Sequence, residues 1–227
     1  YNYFWNNPPL LLTGYGPKAF NTTFAAKKEK VDTTFTFLNF VPTSPDAVNE
    51  VSRTKALGLS RIEYPSFSGN NQIVTVMNKE MGKFIDDFKE TKNYVYKVTY
   101  SITGNNAYFV SVLFNIERKN KTTNETVTYN DAISFNAKNG KPLLMKDIFV
   151  QNYDNALNAA VNDRVKQFGI TTLNEKKRKF EGVDKKQKFY LEDDAIVFIF
   201  NQNEATDFGD KQLFIPFILT DLIGLLK

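Results

Sequence analysis

YVYKVTYSI (94–102), GNN (104–106), AYFVSVLFNI (107–116), VTYNDAISF (127–135) and NAKNGK (136–141) are the stretches whose reading decides the fold. In the first, Tyr94, Tyr96, Val98, Tyr100 and Ile102 take every second place. After the break at Gly104-Asn105-Asn106, residues 107–116 are apolar on both faces, with Tyr108, Val110, Val112, Phe114 and Ile116 on one side and Phe109 and Leu113 on the other. A polar turn at 119–124 leads into the third segment, and Asn139-Gly140 closes the set with a hairpin-type turn. Period-2 runs rich in β-branched and aromatic residues, separated by Gly/Asn turns, predict an antiparallel meander.

Outward from the meander, Ile73, Met77, Met81, Phe84, Ile85 and Phe88 fall on one face of a helix, with Lys79, Lys83, Asp86 and Asp87 turned away. Upstream of it, residues 60–67 alternate, and Pro65 places this strand at a sheet edge or a strand end because it has no amide hydrogen to donate. A first strand is expected at Thr33 to Val41, and residues 1–32 read as an irregular arm rich in Asn, Pro, Gly and aromatics. Downstream, Leu157, Ala160, Val161, Val165 and Phe168 mark a second helix from about Tyr153 to Phe168, stopped by Gly169. Residues 171–187 read as a charged surface excursion. Phe189 to Leu191 and Ala195 to Phe200 form a hairpin around Glu192-Asp193-Asp194, Gln212 to Phe217 form a closing strand with Pro216 arguing for an edge, and Leu219 to Leu226 read as a short C-terminal helix. The fold class is therefore α+β: an antiparallel sheet, meander plus hairpin, with two main helices packed on it. The expected organisation is the arm (1–32), a first half (33–105) and a second half (106–227), the two halves sharing one core and one continuous sheet.

Composition narrows the chemistry. The chain of 227 residues is long enough to bury a sizeable core, and its 42% hydrophobic and 24% charged residues are ordinary for a globular protein. It contains no His and no Cys. That excludes disulfides, Cys–His and Ser–His–Asp catalysis and an ordinary zinc site, and removes the usual general base. No metal, no cofactor and no catalytic residue are expected. The net charge of +4 is spread along the chain, and the run Lys176 to Lys179 lies beside Glu175 and Glu181, so a solvated surface is favoured over a nucleic-acid footprint. No apolar run approaches the roughly 20 residues that span a bilayer. The chain opens at Tyr1, which is compatible with a signal peptide or anchor removed ahead of it.

Motifs for catalysis are weak. Ser52-Arg53-Thr54-Lys55 matches Ser-x-x-Lys, but no Lys-Thr-Gly follows. Glu192-Asp193-Asp194 lacks the ligand spacing of a calcium loop and reads as a charged hairpin tip. Tyr94, Tyr96 and Tyr100 share a face and suggest either a binding platform or, more economically, rings half-buried under a helix.

The ordered set Ile62-Glu63-Tyr64-Pro65-Ser66-Phe67-Ser68-Gly69, Met77-Asn78-Lys79-Glu80, Tyr129-Asn130, Phe135 to Lys141, Lys146-Asp147-Ile148-Phe149, Phe189-Tyr190-Leu191, Phe198 to Glu204 and Ile215-Pro216-Phe217 resembles a bacterial extracytoplasmic domain pair of unknown function. The pair occurs as the sensor half of RsiV-type, lysozyme-sensing anti-sigma factors and as the non-catalytic half of PdaC-type peptidoglycan deacetylases. The resemblance covers roughly residues 60–225. It implies a non-catalytic module, extracytoplasmic or secreted and associated with the cell envelope, that recognises a protein or peptidoglycan-related ligand outside the cell. Where the family carries a Pro-Tyr-rich loop closing on Gly, this chain reads Ala205-Thr206-Asp207-Phe208-Gly209-Asp210, which leaves the ligand's identity open. Loops on a rigid sheet commonly hold binding groups, and the candidate ligand-binding residues are Glu204, Asp207, Phe208 and Gly209. Two other readings stand beside this one. The first is an enzyme, or an accessory domain of one, acting on cell-wall glycan through acids among Glu63, Glu80, Asp131 and Asp147. The second is a carbohydrate-binding module using the N-terminal or strand aromatics.

Overall fold

The computed structural model describes residues 47–69, 71–167, 183, 185–201 and 212–227. The arm, the strand expected at 33–41, most of 171–187, the end of the second helix at Phe168-Gly169 and the loop 204–210 lie outside these residues. The fold is α+β, an antiparallel-rich set of strands with a few helices. The described residues fall into two compact units, 47–144 with 188–190, and 145–187 with 191–227.

In the first unit, β1 (Asn49–Leu57), β2 (Ser60–Ser68), β3 (Tyr94–Asn105), β4 (Phe109–Asn120) and β5 (Thr126–Asn136) form one sheet in that order, with α1 (Asn71–Asp86) between β2 and β3 in sequence. The meander is β3–β4–β5, antiparallel throughout, with Val98 opposite Ile116 and Ile116 opposite Tyr129. The expected border of the two halves, between residues 105 and 106, falls at the end of β3. Tyr108 does not join the inward row: it precedes β4 and is 63% exposed, because the turn is pinned by Asn106 Oδ1 accepting from the Tyr108 and Phe109 amides.

Helix α1 covers one face of this sheet. Met77, Met81 and Ile85 are all but inaccessible and meet Val98, Val112, Phe114 and Ile116 from the strands. Each such side chain stabilises the unit by roughly 2 kcal/mol through the apolar area it removes from water. The predicted Tyr row settles beneath the helix: Phe88 meets Tyr96 edge-on at 5.9 Å and Tyr100 lies 6.3 Å from Phe114. These rings are half-buried packing surface and leave no open platform.

The short hydrophobic run of β2 pairs with β1 along its whole length but with β3, in parallel, only at Arg61↔Lys97 and Ile62↔Val98. Beyond that point a side chain replaces the missing strand. The Phe67 amide donates to Asn78 Oδ1 at 2.9 Å and Asn78 Nδ2 donates to the Phe67 carbonyl at 3.0 Å. Phe67 therefore turns its backbone groups away from β1, and Pro65, two residues earlier, does the same. A proline is tolerated inside β2 because its nitrogen faces the side without a ladder. Gly140 has a similar local reason. It adopts φ +72°, and a Cβ there would stand 2.5 Å from the Ile73 carbonyl at the start of α1.

The nine-residue strand β1 was not legible as a strand. Its sequence, NEVSRTKAL, is exposed at its first six positions, so no inward row of apolar residues marks it. It also disposes of the Ser-x-x-Lys match. Positions three apart in a strand point to opposite faces, and Lys55 Nζ is engaged with Asp86 at 3.1 Å.

A second, three-stranded sheet is formed by β6 (Phe189–Glu192), β7 (Ala195–Phe200) and β8 (Leu213–Ile218) in that order, and from Leu191 onward it belongs to the second unit, with the one-turn helix α2 (Met145–Ile148) and α3 (Asp154–Gln167) earlier in the chain. Among the described residues the strands thus form two sheets, not one continuous sheet: after β5 the chain turns at 136–141 and folds into α2 and α3 before a new ladder begins. Leu157, Val161 and Val165 are the buried stripe of α3, as its spacing predicts. Arg164 fastens this helix to β8, donating to the Pro216 carbonyl at 2.7 Å and lying 4.4 Å over the Phe217 ring. Pro216 sits on the edge strand β8, where no ladder needs its nitrogen. The expected C-terminal helix is only a 3₁₀ turn, Leu219–Leu222. Gly224 at φ +89° ends it, and the last residues extend to pair with the segment after α2, the Val150 amide donating to Leu225 and the Lys227 amide to Ile148.

Candidate functional site

The face of the five-stranded sheet turned away from α1 carries the candidate site. Side chains on a strand alternate faces, and the register brings one polar row together from four strands. Arg61 on β2 neighbours Lys97 on β3, Lys97 stands opposite Glu117 on β4, and Val95 stands opposite Lys119, itself paired with Thr126 on β5. With Thr54, Leu59 and Glu63 from the β1–β2 hairpin these residues enclose a concavity of about 370 Å³. Three cations, Arg61, Lys97 and Lys119, and two carboxylates, Glu63 and Glu117, line it.

Arg61 is the best fixed of them. Its Nη1 donates to the Gly58 carbonyl at 2.9 Å and the Ser60 carbonyl at 3.0 Å, so the tight β1–β2 turn holds the guanidinium while its remaining donors face outward. Gly58, at φ +69°, supplies the left-handed first position that a two-residue hairpin of this kind uses. The turn is braced by Glu90, which accepts from the Leu59 amide at 2.6 Å and pairs with Lys121. The hydrogen bonds from Lys121 and Leu59 hold the Glu90 carboxyl below its usual range. Lys97 Nζ lies 4.0 Å from Glu117 Oε1, an exposed pair that contributes little to stability and is free to rearrange around a ligand. Chemically the pocket can bind a polar ligand of mixed charge. It holds no buried nucleophile, and both of its carboxylates stand in water.

The residues singled out from the sequence scatter. Glu204, Asp207, Phe208 and Gly209 lie outside the described residues. Of the acids weighed for glycan chemistry, Glu63 lies in the pocket, Glu80 pairs with Lys83 at 2.6 Å on α1, and Asp131 projects from the opposite face of the sheet to Lys188 at 2.7 Å. Asp147 belongs to α2 in the other unit. Within the first unit Glu63, Glu80 and Asp131 do not form a pair across one cleft. Glu192-Asp193-Asp194 forms the β6–β7 tip; burial, together with the neighbouring carboxylates, pushes Glu192 up to about 7 and Asp194 to about 6. Among the described residues no three His, Cys, Asp or Glu side chains converge in a way that could hold a metal ion. At the same end of the meander, on the other face, Arg118 lies 4.7 Å over the Tyr94 ring and 5.9 Å from that of Tyr129, whose hydroxyl is pushed up to about 12, first by burial.

Arg61, Lys97, Glu117 and Lys119 escape a sequence reading because 58 positions separate the first from the last, and only strand register joins them. The available signal was partial: Arg61 and Lys97 sit between inward residues in segments that read as strands, whereas Glu117 and Lys119 lie where β4 runs on past residue 116 into what reads as a polar turn.

No protein-family model matches the chain, and no curated protein matches it. Seven solved chains do. A DUF3298 family member from Bacteroides fragilis superposes with a TM-score of 0.57 at 13% identity, covering 82% of this chain and 96% of its own. A DUF3298 family protein from Pseudomonas aeruginosa gives a TM-score of 0.50 at 9% identity, covering 81% and 95%. At these identities the likeness is one of fold. The neighbours belong to an uncharacterised domain family, and among the described residues no helix is long and apolar enough to cross a membrane.

Proposed function

We propose that this chain is a non-catalytic binding or sensor module of the cell envelope, exposed outside the cytoplasm, and that the Arg61–Lys97–Lys119 pocket contacts its protein or peptidoglycan-related ligand. The observation that carries this reading is the tethered Arg61 set among two further cations and two carboxylates in one concavity. Peptidoglycan fragments carry both carboxylates and amines, and protein surfaces carry both charges, so either finds complements there. The lack of His and Cys supports binding over turnover.

Calorimetric titration of the chain with c-type lysozyme, and separately with soluble peptidoglycan fragments, tests this. One of the two is expected to bind saturably, with affinity falling about tenfold in Lys97→Glu/Lys119→Glu and falling as salt rises. Binding that ignores both the double substitution and salt would remove the pocket from the account. Turnover of the glycan, lost in Glu63→Gln or Glu117→Gln, would move the chain to the enzymes, since both carboxylates line the same concavity.

A further inference from the structure

The outer edge of β1 is a second surface. Among the described residues β1 ends the five-stranded sheet, and its register with β2 fixes which backbone groups are free there. Phe67 directs its amide and carbonyl to Asn78, so its partner Glu50 has no ladder bonds with β2. Antiparallel pairs alternate, so Val51, Arg53, Lys55 and Leu57 bond to β2, while Glu50, Ser52, Thr54 and Ala56 turn their N–H and C=O groups outward. Among the described residues nothing meets those groups. The free ladder runs from Glu50 to Ala56, about 20 Å at the rise of an antiparallel strand.

Charge selects what can pair there. Lys55 is neutralised by Asp86, whereas Arg53 makes no ion pair among the described residues. A second copy is a poor occupant of the whole edge or of its Thr54 end. Two β1 strands related by a twofold axis at the middle of the edge place Arg53 opposite Arg53, or opposite Lys55 when the axis passes through Thr54, and like charges directly opposite are destabilising. An extended segment with an acidic residue opposite Arg53 meets no such conflict. We infer that β1 is a docking edge for an extended, acidic peptide segment of a partner protein, which adds a sixth strand to the sheet.

The probe is acetyl-Thr-Val-Thr-Glu-Thr-Val-Thr-amide, added to the full chain and followed by amide hydrogen exchange. In the free chain the amides of Ser52, Thr54 and Ala56 should exchange fast and those of Arg53 and Lys55 slowly. With peptide the first set should slow. The same peptide N-methylated at alternate residues, or carrying Lys in place of Glu, should bind at least about fivefold more weakly, and Arg53→Glu should reverse the Glu/Lys preference. The inference fails if the outward amides stay fast while peptide binds, or if the N-methylated peptide binds equally. It fails equally if those amides slow with protein concentration alone, which would assign the edge to a second copy.

Discussion

Asn78→Ala removes both hydrogen bonds by which a helix side chain completes β2. Phe67 is 4% exposed, so its amide and carbonyl, 2.9 and 3.0 Å from the lost groups, would be left without water or partner. Orphaning two such groups costs about 3 kcal/mol, and the better helix propensity of Ala returns about 0.5 kcal/mol. The net loss of about 2.5 kcal/mol corresponds to exchange about seventyfold faster at the most protected amides of the interior strand β4, such as Val112 and Phe114. Exchange at those amides isolates this unit from the other, which bulk unfolding would not. Asn78→Asp should be no better than Ala. It keeps an acceptor for the amide but sets a carboxylate oxygen against the Phe67 carbonyl. An acceleration below about fivefold, or an Asp variant more protected than Ala, would refute the view that Asn78 stands in for a strand.

Two further perturbations follow from the same geometry. Gly140→Ala adds a Cβ 2.5 Å from the Ile73 carbonyl at a left-handed φ, and should cost about 2–3 kcal/mol in urea unfolding; a loss within 0.5 kcal/mol would show that the turn can shift away from α1. Glu192 and Asp194 hold protons in the folded chain up to about 7 and 6, against 4.5 and 3.8 unfolded, so the folded state binds more protons between those values. Stability should therefore fall as pH rises from 4 to 8, by about 2 kcal/mol after allowance for partial exposure. Glu192→Gln should flatten that fall and raise Tm at pH 8, and an unchanged pH profile in the variant would count against it.

How far the sequence reached depended on burial. The meander and α1 were legible because each presents an apolar row at its own period, and Val112, Phe114, Met77 and Met81 occupy the predicted inward places. β1 lacked that row because an edge strand with both faces in water has no reason to alternate. The C-terminal segment looked helical from Leu219, Leu222 and Leu226, yet the backbone groups of 225 and 227 find better partners on the segment after α2 once Gly224 turns the chain. The pocket was invisible for another reason. Its charges are ordinary surface residues one strand at a time, and their meeting is a property of register alone.

The two-pair parallel contact between β2 and β3 also orders assembly. The β1–β2 hairpin and the β3–β4–β5 meander each close through short turns, so their loop-closure entropy is small and they can form early and apart. Joining them requires α1 to be laid down and Arg61 to reach Lys97, 36 residues on, with Ser60 Oγ accepting from the Tyr96 amide at 3.0 Å. That seam is therefore expected to close late in folding and to part first under denaturant, which pulse-labelled exchange at the Tyr96 amide would check.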